Sequence, residues 1–389
     1  MQTASTTTVL RVMNERAVFA AVFRLGAASR PELAQVTGLS KPTVGVALSN
    51  LEAAGLLRQV GMRAGAAGRS ALLYEVRPEA GYVLAVDIGR EYVRMALADL
   101  VGDVVTRVAD PANGPRDLIP QLTRLADELV TTAGITRDDV TLAVFGTPGI
   151  HDKANGSLHL APNLPGWEER NSLARFADIA GPTYLVDNDV DLAAVGEATY
   201  GLGRDVPHFV YLSIGTGMGM GIVIDGKLYR GFRGAAGEVG YLPIGDGDPL
   251  LRQPGARGRG MFESVASAAG LVATAQRFGM TGATTAKDVL DAARAGDRSA
   301  LRAVDQEVDH LSRAVAGVTA VLDPELVVLG GGVGSHAGDL LTGPLLERLG
   351  DLVVLDPPRI EVSTLGADAV LLGALASGLS AARDLVLDR

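Results

Sequence analysis

Four times between residues 83 and 334, an apolar run of strand length ends in glycine. The runs are VLAVDIG (83–89), LAVFGTPGI (142–150), HFVYLSIGTGMGMGIVIDGKLYRG (208–231) and PELVVLGGGVG (324–334). The first and third each read as a strand, a glycine-bearing turn and a second strand, which makes them openings of two related halves. From Gly81 onward strand and helix patterns alternate, so this body is α/β. A glycine turn after a strand lets backbone N–H groups approach a phosphate or a sugar hydroxyl closely. One such turn is commonplace; four in this order point to a ligand cleft.

The polar groups near these turns fit that reading. VDNDVDLAAVGE (186–197) reads as a strand ending in Asn188 and Asp189, followed by a helix. A carboxylate at the carboxyl end of such a strand is placed as a general base or a ligand contact. APNLPGWEER carries Asn163 and the only tryptophan, Trp167. AAGEVGYLPIG presents Glu238 and Tyr241, and GRGMFESVAS presents Glu263. Taken singly, each carboxylate reads as a helix cap or a surface charge. Together Asn163, Asn188, Asp189, Glu238 and Glu263 make a hydroxyl-binding set. Trp167 has two readings, a wall against one sugar face or a core residue.

Ahead of the body lies a different kind of segment. Val9 to Leu25 has a broad apolar face at helical spacing. SRPELAQVTGLS then predicts a short helix capped by Ser29, with Pro31 in its first turn and Gly38 at its end. Ser40 caps KPTVGVALSNLEAAG, with Val44, Leu48 and Leu51 at helical spacing. Two short helices around a glycine turn are a helix-turn-helix signature. Ser40, Lys41, Pro42 and Thr43, with Asn50 further along, are placed to meet base edges and phosphates. LLRQVG and LLYEVRP read as a hairpin whose loop, MRAGAAGRS, carries Arg63 and Arg69. Small residues let such a wing enter a minor groove, where arginine finds negative potential. The other reading is a packing or dimerisation module.

Charge favours DNA. Through Arg77 there are nine basic and four acidic residues, so this segment carries +5 and the remainder −15 of the chain's net −10. A basic segment on an acidic body suggests one part that meets an anionic partner. The 389 residues exceed one domain's usual length, and the absence of cysteine removes disulfides and thiolate metal sites. The N-terminus has no basic-then-apolar leader pattern, and no long uninterrupted apolar run suggests a membrane span. A cytoplasmic location without a membrane partner is the expectation.

The whole arrangement resembles the ROK family of repressors, open reading frames and sugar kinases, and in particular its regulators of the xylose and N-acetylglucosamine repressor type. The resemblance covers nearly the whole chain. It implies a winged helix-turn-helix (1–78) followed by a two-lobed, actin-like ATPase (ribonuclease H-like) α/β body. Lobe 1 would span 79–195 with a terminal helix at 368–389, and lobe 2 would span 196–367. Asp189 falls on the catalytic aspartate of the family's kinases. Asn163, Asn188, Glu238 and Glu263 fall on its sugar-contacting positions. If ATP and Mg²⁺ bind, the resemblance puts Asp87, Gly89, Gly215, Thr216, Gly217, Gly331 and Gly332 around the nucleotide.

Two departures matter. Family kinases carry Asp-x-Gly-Gly-Thr in the first phosphate loop; here the residues are Asp87-Ile88-Gly89-Arg90-Glu91. The threonine hydroxyl is gone and Glu91 adds negative charge near a phosphate, which Arg90 offsets only by pointing inward. The family's zinc site of one His and three Cys is also absent: Tyr241 replaces the His, and QPGARGRGM holds no cysteine. Tyr241 is then a hydroxyl that donates to sugar or excludes the usual one. The expected function is a repressor of carbohydrate genes. It would be a homodimer or dimer of dimers, bound to a double-stranded operator and sensing a sugar or sugar derivative. The alternatives are an ATP-dependent sugar kinase with a DNA-binding domain, and a regulator that senses a protein partner.

Overall fold

The computed structural model describes residues 6–64, 70–114, 117–161, 164–181, 183–244 and 247–388. The N-terminal head consists of α1 (Thr6–Leu25), β1 (Ala27–Ser29), α2 (Arg30–Thr37), α3 (Lys41–Ala53), β2 (Leu57–Ala64) and β3 (Ser70–Val76). Local chemistry sets these boundaries. The Ser29 backbone N–H and hydroxyl both donate to the Glu32 carboxylate, at 2.9 and 2.7 Å, and close a capping box. Gly38, at φ 72°, ends α2 in the left-handed conformation that glycine adopts freely. Ser40 accepts from the Thr43 N–H at 3.2 Å and starts α3. Val18, Val22, Leu33, Val44, Leu48 and Leu51 form the buried centre of the head.

Three details differ from expectation. α1 begins at Thr6, not Val9. β1, too short to read from its sequence, pairs antiparallel with β3. β2 runs on to Ala64, so Arg63 lies on the strand and not in the loop; its guanidinium pairs with Glu32 at 2.5 Å. Arg69 lies outside the described residues.

Lobe 1 contains β4 (Tyr82–Ile88), β5 (Tyr92–Asp99), β6 (Val104–Pro111), α4 (Leu118–Ala133), β7 (Val140–Thr147), β8 (Ile150–Asp152), β9 (Ser157–His159), α5 (Ala177–Ala180), β10 (Tyr184–Asn188) and α6 (Asp189–Tyr200). Its sheet has the order β10-β7-β4-β5-β6. Lobe 2 contains β11 (Phe209–Ile214), β12 (Met218–Ile224), β13 (Lys227–Leu228), α7 (Ala256–Arg259), α8 (Met261–Ala266), α9 (Ala268–Arg277), α10 (Ala286–Arg294), α11 (Arg298–Leu322), β14 (Leu326–Gly330), α12 (Gly331–His336), α13 (Gly338–Leu352) and β15 (Arg359–Val362). Its sheet has the order β13-β12-β11-β14-β15. The two sheets repeat one plan: an antiparallel meander on one side of the first strand and two parallel strands on the other. The chain ends in α14 (Ala369–Leu387), which returns to lobe 1.

Strand periodicity explains the layers. In β4, Val83 and Ala85 face α14, whereas Leu84 and Val86 face the cluster that includes α4, Phe145 and Phe176. The second sheet packs Val210 and Leu212 against α11, and Phe209 and Tyr211 against Ala193 and Ala194 of α6. α6 therefore lies between the two sheets. α14 packs directly on it: a Cβ on Gly373 would sit 1.7 Å from the Leu192 carbonyl oxygen, and one on Gly196 would sit 2.4 Å from that of Ala369. Contrary to the sequence reading, Gly366–Leu387 is long and apolar enough to cross a membrane by composition. Its apolar residues Leu375, Leu379 and Ala382 are instead buried against lobe 1. Trp167 is a core residue, 0% exposed, tilted against Phe176 at 4.7 Å and capped by the Arg175 guanidinium.

Candidate functional site

A cleft of about 750 Å³ is lined from both lobes, and one wall is built where β10 hands over to α6. β10 is parallel to β7, so this is the carboxyl edge of the sheet, where ligands sit in open α/β folds. Asn188 makes the corner. Its Oδ1 accepts from the N–H groups of Val190 (2.9 Å) and Asp191 (3.1 Å), and its Nδ2 donates to the Gly149 carbonyl at 3.0 Å. The amide expected to hold a hydroxyl thus lines the cleft while its own atoms hold Asp189 in place.

Asp189 is the first residue of α6 and faces the cleft. Burial, and then the charge of Asp87, push its carboxyl up to about 7. Asp191, two residues on, is pushed up to about 7 by burial and the neighbouring Asp187. From lobe 2 come Glu238, after β13, and Glu263, on α8. Burial raises both; the charge of Glu263 raises Glu238 further, while the Met218 N–H, donating at 3.1 Å, holds Glu263 back. Asp189, with its carboxyl near 7, offers both a donor and acceptors, which is what sugar hydroxyls need.

The glycine turns divide. Gly215, Thr216 and Gly217, between β11 and β12, line the cleft, as do Gly331 and Gly332 at the start of α12. Asp87 and Gly89 are not on this lining. Asp87 is buried at the end of β4, opposite Arg94 in the β4–β5 register, and Arg94 Nη1 donates to it at 3.3 Å. Burial nonetheless pushes the Asp87 carboxyl up to about 6. Gly89 lines a smaller cavity of about 200 Å³ next to the cleft. Arg90 lines both cavities, whereas the exposed Glu91 lines neither. The expected repulsion by Glu91 is therefore corrected: of this pair it is Arg90 that reaches the cleft, among the carboxylates of Asp189, Glu238 and Glu263.

Tyr241 is 42% exposed and stands outside the lining, close enough for burial and the charges of Glu238 and Glu263 to raise its hydroxyl. Asn163 lies outside the described residues. Among the described residues no group of three or more His, Asp or Glu gathers as metal ligands, and Tyr241 with the cysteine-free 253–261 segment does not fit a tetrahedral zinc. Two residues of the cleft lining, Asp191 and Arg259, and two arginines that pair with carboxylates beside it, Arg94 and Arg230, escaped the sequence reading. Arg94 and Asp191 have local signals, a hairpin register and a helical i+2 position. Arg259 has only its place in the segment where zinc ligands were sought; it lines the cleft and moderates Glu263. Arg230, whose guanidinium grips Asp187 from lobe 2, has none.

On the head, Ser40, Lys41 and Pro42 are exposed at the start of α3, with Thr43 half-buried and hydrogen bonded to the Ser40 hydroxyl at 2.8 Å. Asn50 is half-buried, and its amide is already engaged. Its Nδ2 donates to Glu15 of α1 at 2.6 Å, so it ties two helices together.

Comparison with known proteins agrees with this architecture. Residues 83–378 match the profile of the ROK family. The chain is 32% identical over 315 residues to a glucokinase of Thermotoga maritima, covering 75% of this chain and 95% of that one. It is 28% identical over 394 residues to the xylose repressor of Caldicellulosiruptor bescii, covering 96% of this chain and 97% of that one. Among solved structures, a ROK family transcriptional regulator described as a homologue of the E. coli MLC protein superposes with a TM-score of 0.78 at 24% identity, over 97% of this chain and 98% of that one.

Proposed function

The chain belongs to the ROK family, and from that premise we propose that it is a DNA-binding transcriptional repressor whose cleft senses a sugar or sugar derivative. The observation that carries the reading is the extent of each likeness. Similarity to the repressor runs through the head, over 96% of the chain, whereas similarity to the glucokinase covers 75%. The head supplies exposed Ser40, Lys41 and Pro42 at a helix start, the geometry by which such a helix meets a major groove. The cleft supplies Asp189, Glu238 and Glu263 for hydroxyl groups. Sugar would shift the population between lobe arrangements and so move a pair of heads on a homodimer. No zinc takes part.

The kinase reading keeps one specific support. Asp189 has the place and the near-neutral carboxyl of a general base. Against it, Arg94 neutralises Asp87 from within the chain, and Arg90 stands where the family has glycine. The deciding experiment screens D-xylose, D-glucose, amino sugars, sugar phosphates and ATP separately by thermal shift, then assays ATP-dependent sugar phosphorylation. The expected result is stabilisation by a sugar without turnover. Turnover that disappears in Asp189→Asn would establish the kinase.

A further inference from the structure

Two packed helices, α6 and α14, run from the cleft to the head. α6 begins at the cleft with Asp189 and packs backbone to backbone on α14 through Gly196 and Gly373. The far end of α14 then grips the head. Arg16 of α1 donates from Nη1 to Asp384 and from Nη2 to Asp388, each at 2.6 Å. Beside this fork, Arg383 stacks over the Phe23 ring of α1, 3.5 Å from its centroid, while its Nε donates to the Leu100 carbonyl of lobe 1 at 3.3 Å. The residue preceding Arg16 completes the line: Glu15 accepts from Asn50 of α3, the helix that carries Lys41.

Neighbouring residues of α1 thus hold opposite partners, Glu15 the candidate recognition helix and Arg16 the last turn of α14. We infer that α14 is the lever through which occupation of the cleft repositions the head, with the fork from Arg16 to Asp384 and Asp388 as its coupling. The physical case rests on contrast. At the Gly196–Gly373 crossing α6 and α14 meet backbone to backbone, and Leu192 packs on Leu371 and Leu375 beside it, so a tilt of α6 is transmitted stiffly to α14. The α14–α1 contact is built from side chains, and the fork lies at the surface, where ion pairs are individually weak and yield to salt. A stiff arm with a breakable grip can pass between a gripped and a released state, and a two-state element that both sites bias is the physical basis of coupling between them.

The inference rests on the cleft being the effector site, and its test separates the two ideas. Hydrogen exchange of α1 and α3 amides is followed in the full chain, in Arg16→Glu, and in the charge-swapped triple variant Arg16→Glu, Asp384→Arg, Asp388→Arg. D-xylose and D-glucose serve as probes, and calorimetry reports sugar binding independently. With a sugar that binds, exchange in α1 and α3 changes several-fold in the parent, stays unchanged in Arg16→Glu, and responds again in the triple variant. A response that survives Arg16→Glu overturns the lever. If neither sugar binds, the sensor reading fails for these sugars, and the lever is judged in the sugar-free chain from Asp189→Asn. That substitution must alter α1 exchange when Arg16 is present and not when it is glutamate; equal effects in both backgrounds overturn the lever as well.

Discussion

In the proposed sugar site Asp189 meets two opposed demands, since a carboxylate withdrawn from water to face a ligand is one that water no longer stabilises. Its carboxyl is pushed from the ordinary 3.8 up to about 7, so the folded chain holds a proton that the unfolded chain releases. Folding then loses stability as pH climbs from about 4 through about 7, by up to about 1.4 kcal/mol for each pH unit. Asp191, raised in the same way, adds to the slope. Asp189→Asn should therefore be more stable than the parent at pH 7.5 and differ little near pH 4.5; urea denaturation at the two values measures it. Removing the carboxyl group altogether should hurt binding. A charge-assisted hydrogen bond contributes about 1.5–3 kcal/mol, so Asp189→Ala or Glu263→Ala should weaken sugar binding roughly tenfold or more by calorimetry. Unchanged binding in both variants would place the effector elsewhere. On the head, Lys41→Ala should lower operator affinity and reduce the slope of log affinity against log salt by about 1, the signature of one lost phosphate contact.

Where elements announce themselves by local chemistry, they were legible. Ser29, Gly38 and Ser40 bound the head's helices because capping and left-handed turns act within a few residues. The strands leading into glycine were legible because β4, β11 and β14 are buried on both faces and so read as unbroken apolar runs. Elements and residues defined by distant partners were not. β1 exists through its pairing with β3, and Asn50 looks like a base contact until Glu15 takes it. α14 reads as a possible span once its hydropathy is summed, and only packing on α6 explains it. The segment around 247–260 is the sharpest case. Sequence showed only that zinc ligands were missing. The fold anchors this segment by burying Asp248, which accepts from the Leu250 N–H and from Arg277 Nη1, each at 2.8 Å, and from Gln306. Because Leu250 and Gln253 of the segment line the cleft, this anchor supports the site. Breaking a buried, hydrogen-bonded charge network costs about 3–5 kcal/mol. Asp248→Ala should show a loss of that order in urea denaturation, together with weaker sugar binding, while dialysis against a chelator should leave the parent's melting temperature unchanged.

At the scale of the whole molecule, charge is divided as sharply as shape. A head of +5 is attached to a body of −15. A body of that sign is repelled by DNA, so one head on one chain is a poor binder: its attraction is local and the chain's field opposes it. Two heads held at a fixed separation overcome this, because the second engages at a high effective concentration once the first is bound. In the proposed dimer the cleft would then control the distance and tilt between heads without touching either proposed DNA-binding face. This makes the proposed dimer testable without knowing the sugar. Paired half-sites must lie on one face of the duplex, with centres about one helical turn, or a whole number of turns, apart. An operator selected from random duplexes should lose affinity at least about tenfold when ~5 base pairs are inserted between its halves, and recover in part at ~10. Gel-shift titration of the three duplexes reads this directly. If the ~5-base-pair insertion leaves affinity unchanged, the heads bind independently and the geometry of the body does not govern them.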